Sequence, residues 1–488
     1  MKIFISGHKF RYELEHIART FVPDIEVYER RPVKKERDNG DDYAYLRSSV
    51  AGHAVTLFAA VSYEGVLAAA TKKLEPGIPE KETGRNLSAI FYDIMADVTG
   101  KRPVWGILTG VRPVKLAQAL LDTGLTDREA KARLRESYRV SADKARLAVD
   151  TANISRTFRT KSTDRSYSLY VSIPFCPSRC DYCSFVSKTV DSDRGLITGY
   201  LERLTEEIEE TAAVASSAGL ILESIYIGGG TPTILSETEL ESLCAVIKRC
   251  FAIERIREYT VEAGRPDTIT LDKLKVLREY EVSRISVNPQ TFDDSVLRTI
   301  DRRHTSEDIL RAFSDAEDAG FDNINADLIA GLKGDSLSGF RGSLKRLLEL
   351  NPKSVTIHAL TLKRGSFFRE RDGSFAENTG LMITGARDIL EKEGYNPYYI
   401  YRQKGTVDGL ENTGYSLPGY ECLYNIYTMD ELHTILSCGA GGVTKLYDAR
   451  AKRIERIFNF KYPLEYLKAF DEVQNRKEGI VRFYESII

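Results

Sequence analysis

The sequence predicts an α/β protein whose centre is a partial, six-stranded parallel β/α barrel, with an α+β module before it and an extension after it. Two observations carry this reading. From Ser166 to about Gly394, six short apolar runs alternate with amphipathic helical stretches, which is the rhythm of βαβ units around a parallel sheet. The residues with distinctive chemistry fall at or just after the ends of those runs, where parallel barrels build their sites. The length of 488 residues fits such a multi-part chain, being too great for one ordinary core and suited to roughly two to four domains.

Residues 1–153 read as the N-terminal α+β module. Ala54–Val61 is an apolar run of strand length, and Glu80–Val98 has helical spacing after the punctuation Pro-Gly-Ile-Pro. In WGILTGVRPVKLAQALL, Pro113 stands where a helix can start, and Thr126–Asn153 reads as a charged helical pair. The polar, basic stretch 154–165 predicts a linker. The barrel over 166–394 is carried by the runs SLYVSIPF, SIYIGGG, YTVEA, RISVNPQ, NINADLIAGL and SVTIHALTL. Helical stretches lie between them at Gly199–Ala215, Glu237–Phe251, Asp272–Glu281, Asp308–Ala319 and Leu337–Leu350. Six repeats suit a barrel open on one side rather than a closed eightfold one. Residues 395–488 form a tyrosine-rich extension with the glycine cluster CGAGG (438–442) and a terminal helix expected at Leu464–Gln474.

Hydrophobic residues make up 42% and charged residues 29%, the range of a soluble globular protein rather than a disordered or membrane one. Lys+Arg (69) and Asp+Glu (71) nearly cancel, so charge gives no reason to expect nucleic acid or an anionic membrane as partner. The N-terminal segment lacks the long apolar core of a signal peptide and no stretch approaches a membrane span, so the expected location is the cytoplasm. Seven cysteines, three within eight residues and four scattered, argue for metal ligation rather than a disulfide framework.

FCPSRCDYCSF places Cys176, Cys180 and Cys183 in a Cys-x3-Cys-x2-Cys run directly after an expected strand. Three thiolates on one tight loop can face one point and suit the soft irons of a cluster; a four-iron cubane would keep one iron free. The rival is a zinc ion completed by a distant histidine, although the spacing is not the usual pair of pairs. Cys244, Cys250, Cys422 and Cys438 read as small buried apolar residues. GGGTPT (228–233) lets backbone approach a ligand closely. Glu262 and Asp327 end apolar runs, where a carboxylate can accept hydrogen bonds from hydroxyl or amino groups, and Arg302 can pair with a carboxylate. Alone, each reads as a solvated strand end or an ordinary ion pair. Placed together on successive strand ends, they read as one site. His304 and His358 read as polar residues near the rim.

In this combination the motifs resemble those of the radical S-adenosylmethionine (SAM) enzymes. Among these the chain is similar to the oxygen-independent coproporphyrinogen III oxidases (coproporphyrinogen dehydrogenases), from Ser166 to about Asp448. The resemblance implies a [4Fe–4S] cluster on Cys176, Cys180 and Cys183 whose open iron takes the amino and carboxylate groups of SAM. Tyr170, six residues before the first cysteine, falls at a SAM-contacting position of the family, as do Tyr182, Gly229, Gly230, Thr231, Glu262, Gln290, Arg302, Asp327, Ala359 and Val443. It further implies a tetrapyrrole substrate, oxidative decarboxylation of coproporphyrinogen III to protoporphyrinogen IX, and a reduced electron donor of flavodoxin or ferredoxin type. The length, the N-terminal module and WGILTGVRPVK resemble the HemZ branch, with Arg112 a candidate for substrate or interdomain contact. Three departures bear on substrate and turnover: Phe185 where the best-known oxidases have a fourth cysteine, Asn288 and Pro289 in place of a glycine-containing stretch, and Lys333 where proline is usual. Another tetrapyrrole is an alternative substrate, and a haem-binding chaperone of the same family is the rival function. The chaperones' His-Asn-x-x-Tyr-Trp motif lies in their C-terminal part, whereas the only tryptophan here is Trp105.

Overall fold

The computed structural model describes residues 1–487 apart from 39, 53, 111, 160–161, 184–187, 190–193, 362–377, 404 and 407–408. The chain divides into two compact units, one of residues 1–152 with 402–404 and 408–410, the other of the remainder.

In the first unit, strands β1 (Lys2–Ser6), β2 (Glu26–Tyr28), β3 (Tyr43–Ala51), β4 (Ala54–Tyr63) and β5 (Val66–Leu74) form a sheet in the order β2-β1-β3-β4-β5. β1 runs parallel to β2 and β3, and the other pairs are antiparallel. The alternation of side chains along a strand puts Ile3, Ile5, Leu46, Leu57, Ala59 and Val61 on one face. There they join one core with Leu14, Ile17 and Phe21 of the helix Arg11–Phe21 and with Leu87, Phe91 and Met95 of the helix Glu80–Thr99. Pro113 opens the helix Pro113–Asp122, and Thr126 caps Asp127–Tyr138 through a reciprocal bond with Glu129. The helix Ala142–Arg159 corrects the expected linker: its residues 154–159 are helical. Ile154 and Phe158, four apart and so on one helical face, pack against Tyr398 and Ile426 and tie this basic string down.

The second unit is built on an eleven-stranded sheet. Its strands are β6 (Ser166–Ile173), β9 (Ile221–Gly229), β10 (Glu258–Gly264), β11 (Arg284–Gln290), β12 (Ile324–Ala330), β13 (Ser354–Ala359), β14 (Asn396–Arg402), β15 (Glu411–Ser416), β16 (Thr434–Cys438), β17 (Val443–Asp448) and β18 (Arg453–Phe458). The short strands β7 (Phe175–Cys176) and β8 (Lys188–Thr189) pair separately. The order is β14-β15-β13-β12-β11-β10-β9-β6-β16-β17-β18, and the six expected strands β6 and β9–β13 are its consecutive parallel centre. The segment after residue 394 is built into this sheet at both edges. β16 adds a seventh parallel strand beside β6, whereas β15 runs antiparallel to β13.

Helices Arg194–Ser217, Glu237–Cys250, Leu271–Glu279, Ser306–Asp318 and Leu337–Glu349 lie between these strands where the sequence predicts them. Ser236, Thr270, Thr305 and Ser336 cap the last four by accepting the N–H three residues on. The helices Asp294–Thr299 and Thr379–Lys392 are additions, and the terminal helix is two segments, Pro463–Lys468 and Phe470–Glu485. No described helix is long and apolar enough to cross a membrane.

The central strands have two unlike faces. Ile225, Ile227, Val261, Ile285, Val287, Ala326, Leu328, Val355 and Ile357 are buried and apolar. The alternate positions carry Ser224, Tyr226, Thr260, Glu262, Ser286, Asn288, Asn325, Asp327, Thr356 and His358, so a polar face is gathered on one side of the sheet.

Candidate functional site

The floor of the polar face is set by two buried charges. Glu258 accepts the N–H groups of Leu423 (2.8 Å) and Tyr424 (3.2 Å) at the start of the helix Leu423–Asp430, a favourable place for a carboxylate. Arg284 donates to the Asn323 side chain (2.9 Å) and the Tyr420 carbonyl (2.8 Å). Together they dock the 420–430 segment under the strands, and Tyr424 joins the interior. Its ring stacks on Tyr226 at 4.4 Å and on Tyr170 at 6.0 Å.

Above this stack lie two carboxylates in opposed environments. Glu262 Oε1 accepts from the Tyr226 hydroxyl at 2.5 Å, and Oε2 accepts from the Gly229 N–H at 3.3 Å. Burial, with Asp327 nearby, pushes the Glu262 carboxyl up to about 7. Burial acts on Asp327 too, but His358 Nε2 at 3.3 Å and the Asn325 amide at 2.8 Å outweigh it and hold that carboxyl below its usual range. His358 is therefore part of the site, not merely a rim residue.

The thiol loop leaves β6 through β7, and the β7–β8 pairing ties its base. Cys176 and Cys180 are buried and Cys183 half-buried, with the Cys183 N–H donating to the Cys180 carbonyl (3.0 Å). The glycine run lies directly against the loop. A Cβ on Gly230 would sit 2.4 Å from the Phe175 carbonyl oxygen and 2.9 Å from Cys176 Sγ, so only glycine fits. Gly229 adopts φ +115°, and Thr231 Oγ1 donates to Cys176 Sγ at 3.5 Å. Phe185 lies outside the described residues. Among the described residues no three His, Cys, Asp or Glu side chains are gathered to grip one ion.

Beyond the loop, Arg302 donates Nε (3.2 Å) and Nη2 (2.7 Å) to the Tyr182 hydroxyl, while its buried Nη1 has no partner. Gln290 ends β11 at φ +68°, and its buried Oε1 also has none. Ala359 ends β13, and Val443 begins β17 beside the end of β16, which puts both on the same rim by backbone position. His304 is buried, with Nε2 3.4 Å from the Pro289 carbonyl. Arg112 is the residue before the helix Pro113–Asp122 in the other unit.

The structure thus joins Tyr170, Gly229, Glu262 and Asp327 in one network, Cys176, Gly230 and Thr231 in a second, and Tyr182 with Arg302 in a third. Tyr226 and Tyr424 escaped the sequence reading. The first was accessible, since it alternates with Gly228 on the same strand; the second arrives only through the docked helix. Three thiols, a glycine cradle without side chains, and orphaned atoms of both kinds, the Arg302 donor and the Gln290 acceptor, fit a cluster with a small zwitterionic ligand beside it.

Residues 170–347 match the radical SAM superfamily. The chain is 34% identical over 504 residues to the oxygen-independent coproporphyrinogen-III oxidase-like protein HemZ of Bacillus subtilis, covering 100% of this chain and 98% of that protein. It is 36% identical over 281 residues to the heme chaperone HemW of the same organism, covering 56% of this chain and 70% of HemW. Among solved structures, the coproporphyrinogen III oxidase HemN of Escherichia coli, a radical SAM enzyme, superposes with a TM-score of 0.52 at 23% identity. The match covers 66% of this chain and 73% of HemN, and it bears on the fold alone.

Proposed function

The chain belongs to the radical SAM superfamily and, within it, to the family of oxygen-independent coproporphyrinogen-III oxidase-like proteins, and from that membership we propose that it converts coproporphyrinogen III to protoporphyrinogen IX without oxygen. The cofactors are those of the superfamily, a [4Fe–4S] cluster and SAM. Bound together and given one electron, they supply an organic radical strong enough to take hydrogen from a saturated carbon. Each of two propionate side chains, at the expense of one SAM apiece, then gives up one hydrogen atom, one carbon dioxide and one electron, the last to an external one-electron acceptor, and a vinyl group remains.

The chain's residues hold and orient. Cys176, Cys180 and Cys183 are the cluster ligands, and Gly229, Gly230 and Thr231 leave room for SAM against that loop. Glu262 and Asp327 accept hydrogen bonds from SAM hydroxyl or amino groups, and the free Nη1 of Arg302 with the free Oε1 of Gln290 meets its charged end. Tyr170, Tyr182, Ala359 and Val443 complete the walls. The stacked rings of Tyr170, Tyr226 and Tyr424 give the site an aromatic wall beside Glu262. The tetrapyrrole is the substrate, and a reduced flavodoxin- or ferredoxin-type protein supplies the electron.

The observation that carries the reading is the full-length match to the oxidase-like relative, which includes the first unit as well as the barrel. The test is anaerobic incubation of reconstituted protein with SAM, reductant and coproporphyrinogen III, followed by mass analysis. Products lighter by one and then two carbon dioxide losses, with the matching hydrogen loss, are expected. The likeness to HemW favours one other reading, a haem-binding chaperone. Stable haem binding, with SAM cleavage uncoupled from any porphyrinogen, would replace the first reading with the second.

A further inference from the structure

Arg265 is almost completely buried, at 3% exposure, and belongs to none of the motifs described so far. It follows Gly264, whose φ of +68° turns the chain back at the end of β10, and it begins the tight turn Pro266–Thr268. Every nitrogen of its guanidinium is used. Nε and Nη2 form a two-pronged pair with Asp267 at 3.0 Å each. Nη1 reaches the cysteine loop, donating to Ser178 Oγ (2.8 Å), to the Ser178 carbonyl (3.3 Å) and to Cys180 Sγ (3.8 Å).

A buried guanidinium is costly unless paired, and Asp267 supplies that pair. The pairing also fixes the planar fork, so the third nitrogen is aimed rather than free. What it is aimed at is one turn of the loop and the sulfur of its middle cysteine. A thiolate on an iron cluster accepts hydrogen bonds at sulfur, and each such bond stabilises the more electron-rich, reduced cluster.

Resting on the reading that this loop holds a cluster, we infer that Arg265 is a positioning residue for the reductive step: it clamps Ser178 and Cys180 and raises the reduction potential of the cluster through the sulfur of Cys180. The hydrogen bond makes one-electron reduction of the centre easier, and Asp267 keeps the donor in place. A purely structural arginine would hold the loop but leave the potential of a properly loaded cluster unmoved.

The test is an EPR-monitored redox titration of the full-length, reconstituted protein and of Arg265→Gln and Arg265→Lys, with iron and acid-labile sulfide counted in each sample. The expected result is wild-type iron and sulfide with a midpoint potential shifted to more negative values, further for Gln than for Lys. Asp267→Glu, which keeps the negative charge but displaces the fork, should shift in the same direction and carries the test if the Arg265 variants do not fold. A loaded cluster whose potential is unchanged in Asp267→Glu and in whichever Arg265 variants fold overturns the inference alone. A wild-type protein that takes up no cluster overturns the reading of the loop as well.

Discussion

The phenol of Tyr226 on β9 donates to Glu262 Oε1 on β10 across 2.5 Å, and both groups lie on the polar face of the sheet. Burial outweighs this bond and keeps the Glu262 carboxyl up at about 7, against an ordinary 4.5. The folded chain therefore holds a proton on Glu262 across a pH range in which the unfolded chain has released it.

That difference makes a signed prediction for stability. Below pH 4.5 both states are protonated and Glu262 has no linkage effect; between about 4.5 and 7 the folded state binds more protons, so stability falls as pH rises, and above 7 the penalty is constant. Its ceiling is on the order of 3 kcal/mol. Glu262→Gln removes the titration. Scanning calorimetry of the cofactor-free protein should show the variant gaining on the parent between pH 4.5 and pH 8. An identical difference at the two pH values would mean that Glu262 is not raised.

Gly230→Ala should damage the cysteine loop specifically. The added Cβ meets a backbone oxygen at 2.4 Å and the Cys176 sulfur at 2.9 Å, and neither can yield as a flexible side-chain tip would. Overpacking of this kind costs about 1–3 kcal/mol, and iron uptake on reconstitution should fall sharply. Gly199→Ala is the control. Nothing lies within 4 Å of its Cβ, and it sits inside the helix Arg194–Ser217, where alanine is favoured by about 1 kcal/mol. Equal iron uptake by the two variants would remove the steric argument.

The legible part of this protein was the part with a local period. Six apolar runs separated by helices gave the six parallel strands, and carboxylates at run ends gave Glu262 and Asp327. The edges were illegible. β16 pairs with β6 from the far end of the chain, so Leu436 stands opposite Leu169, and nothing in a five-residue run says which sheet it joins. β18 has exposed or half-exposed residues throughout and no apolar run. Tyr424 enters the site because Glu258, 166 residues earlier, accepts its N–H. Arg265 was hidden differently: its role lies in the direction of one nitrogen, which composition and spacing do not encode.

Arg302 should matter for SAM rather than for the cluster. Tyr182 holds two of its nitrogens and leaves Nη1 buried without a partner. Arg302→Ala should weaken SAM binding about ten- to a hundredfold, the worth of one charge-assisted bond, with iron content preserved. Tyr182→Phe, which frees the guanidinium without removing it, should produce a smaller loss. Calorimetric titration of SAM into the reconstituted variants reads both, and iron loss as complete as in a cysteine variant would reassign Arg302 to the fold.

A buried ion pair makes the C-terminal helix a structural part of the barrel unit. Glu207 and Lys477 meet at 2.8 Å with 0% and 2% exposure, and Glu207 also accepts from the Gly439 N–H and the Tyr466 hydroxyl. Lys477→Met strands a buried carboxylate and should cost about 3–5 kcal/mol in chemical denaturation. Adding Glu207→Gln should recover part of that loss. A double variant that loses the sum of the two single effects would show that the pair does not act as a unit.

The seven cysteines should separate cleanly into two classes. Ser at 176, 180 or 183 should abolish the brown [4Fe–4S] absorption or leave a defective cluster, and SAM cleavage should stop, because these are the three thiols on the loop that Gly230 and Thr231 abut. The other four have structural partners instead. Cys244 receives the Tyr259 hydroxyl at 3.9 Å, and Cys438 donates to Thr211 Oγ1 at 3.3 Å. Cys422 donates to Glu258 Oε1 at 3.3 Å, whereas Cys250 is only half-buried. Alanine at these positions should leave cluster and cleavage intact at a cost of about 1–3 kcal/mol for the buried three. Cys422→Ala should cost most, since it removes a donor from the buried carboxylate that docks the Tyr424 helix. Iron analysis, visible absorption and the response of the reduced EPR spectrum to SAM decide the matter. Cluster loss in any of the four alanine variants, or a spectrum indifferent to SAM in the wild type, would end the three-thiolate assignment.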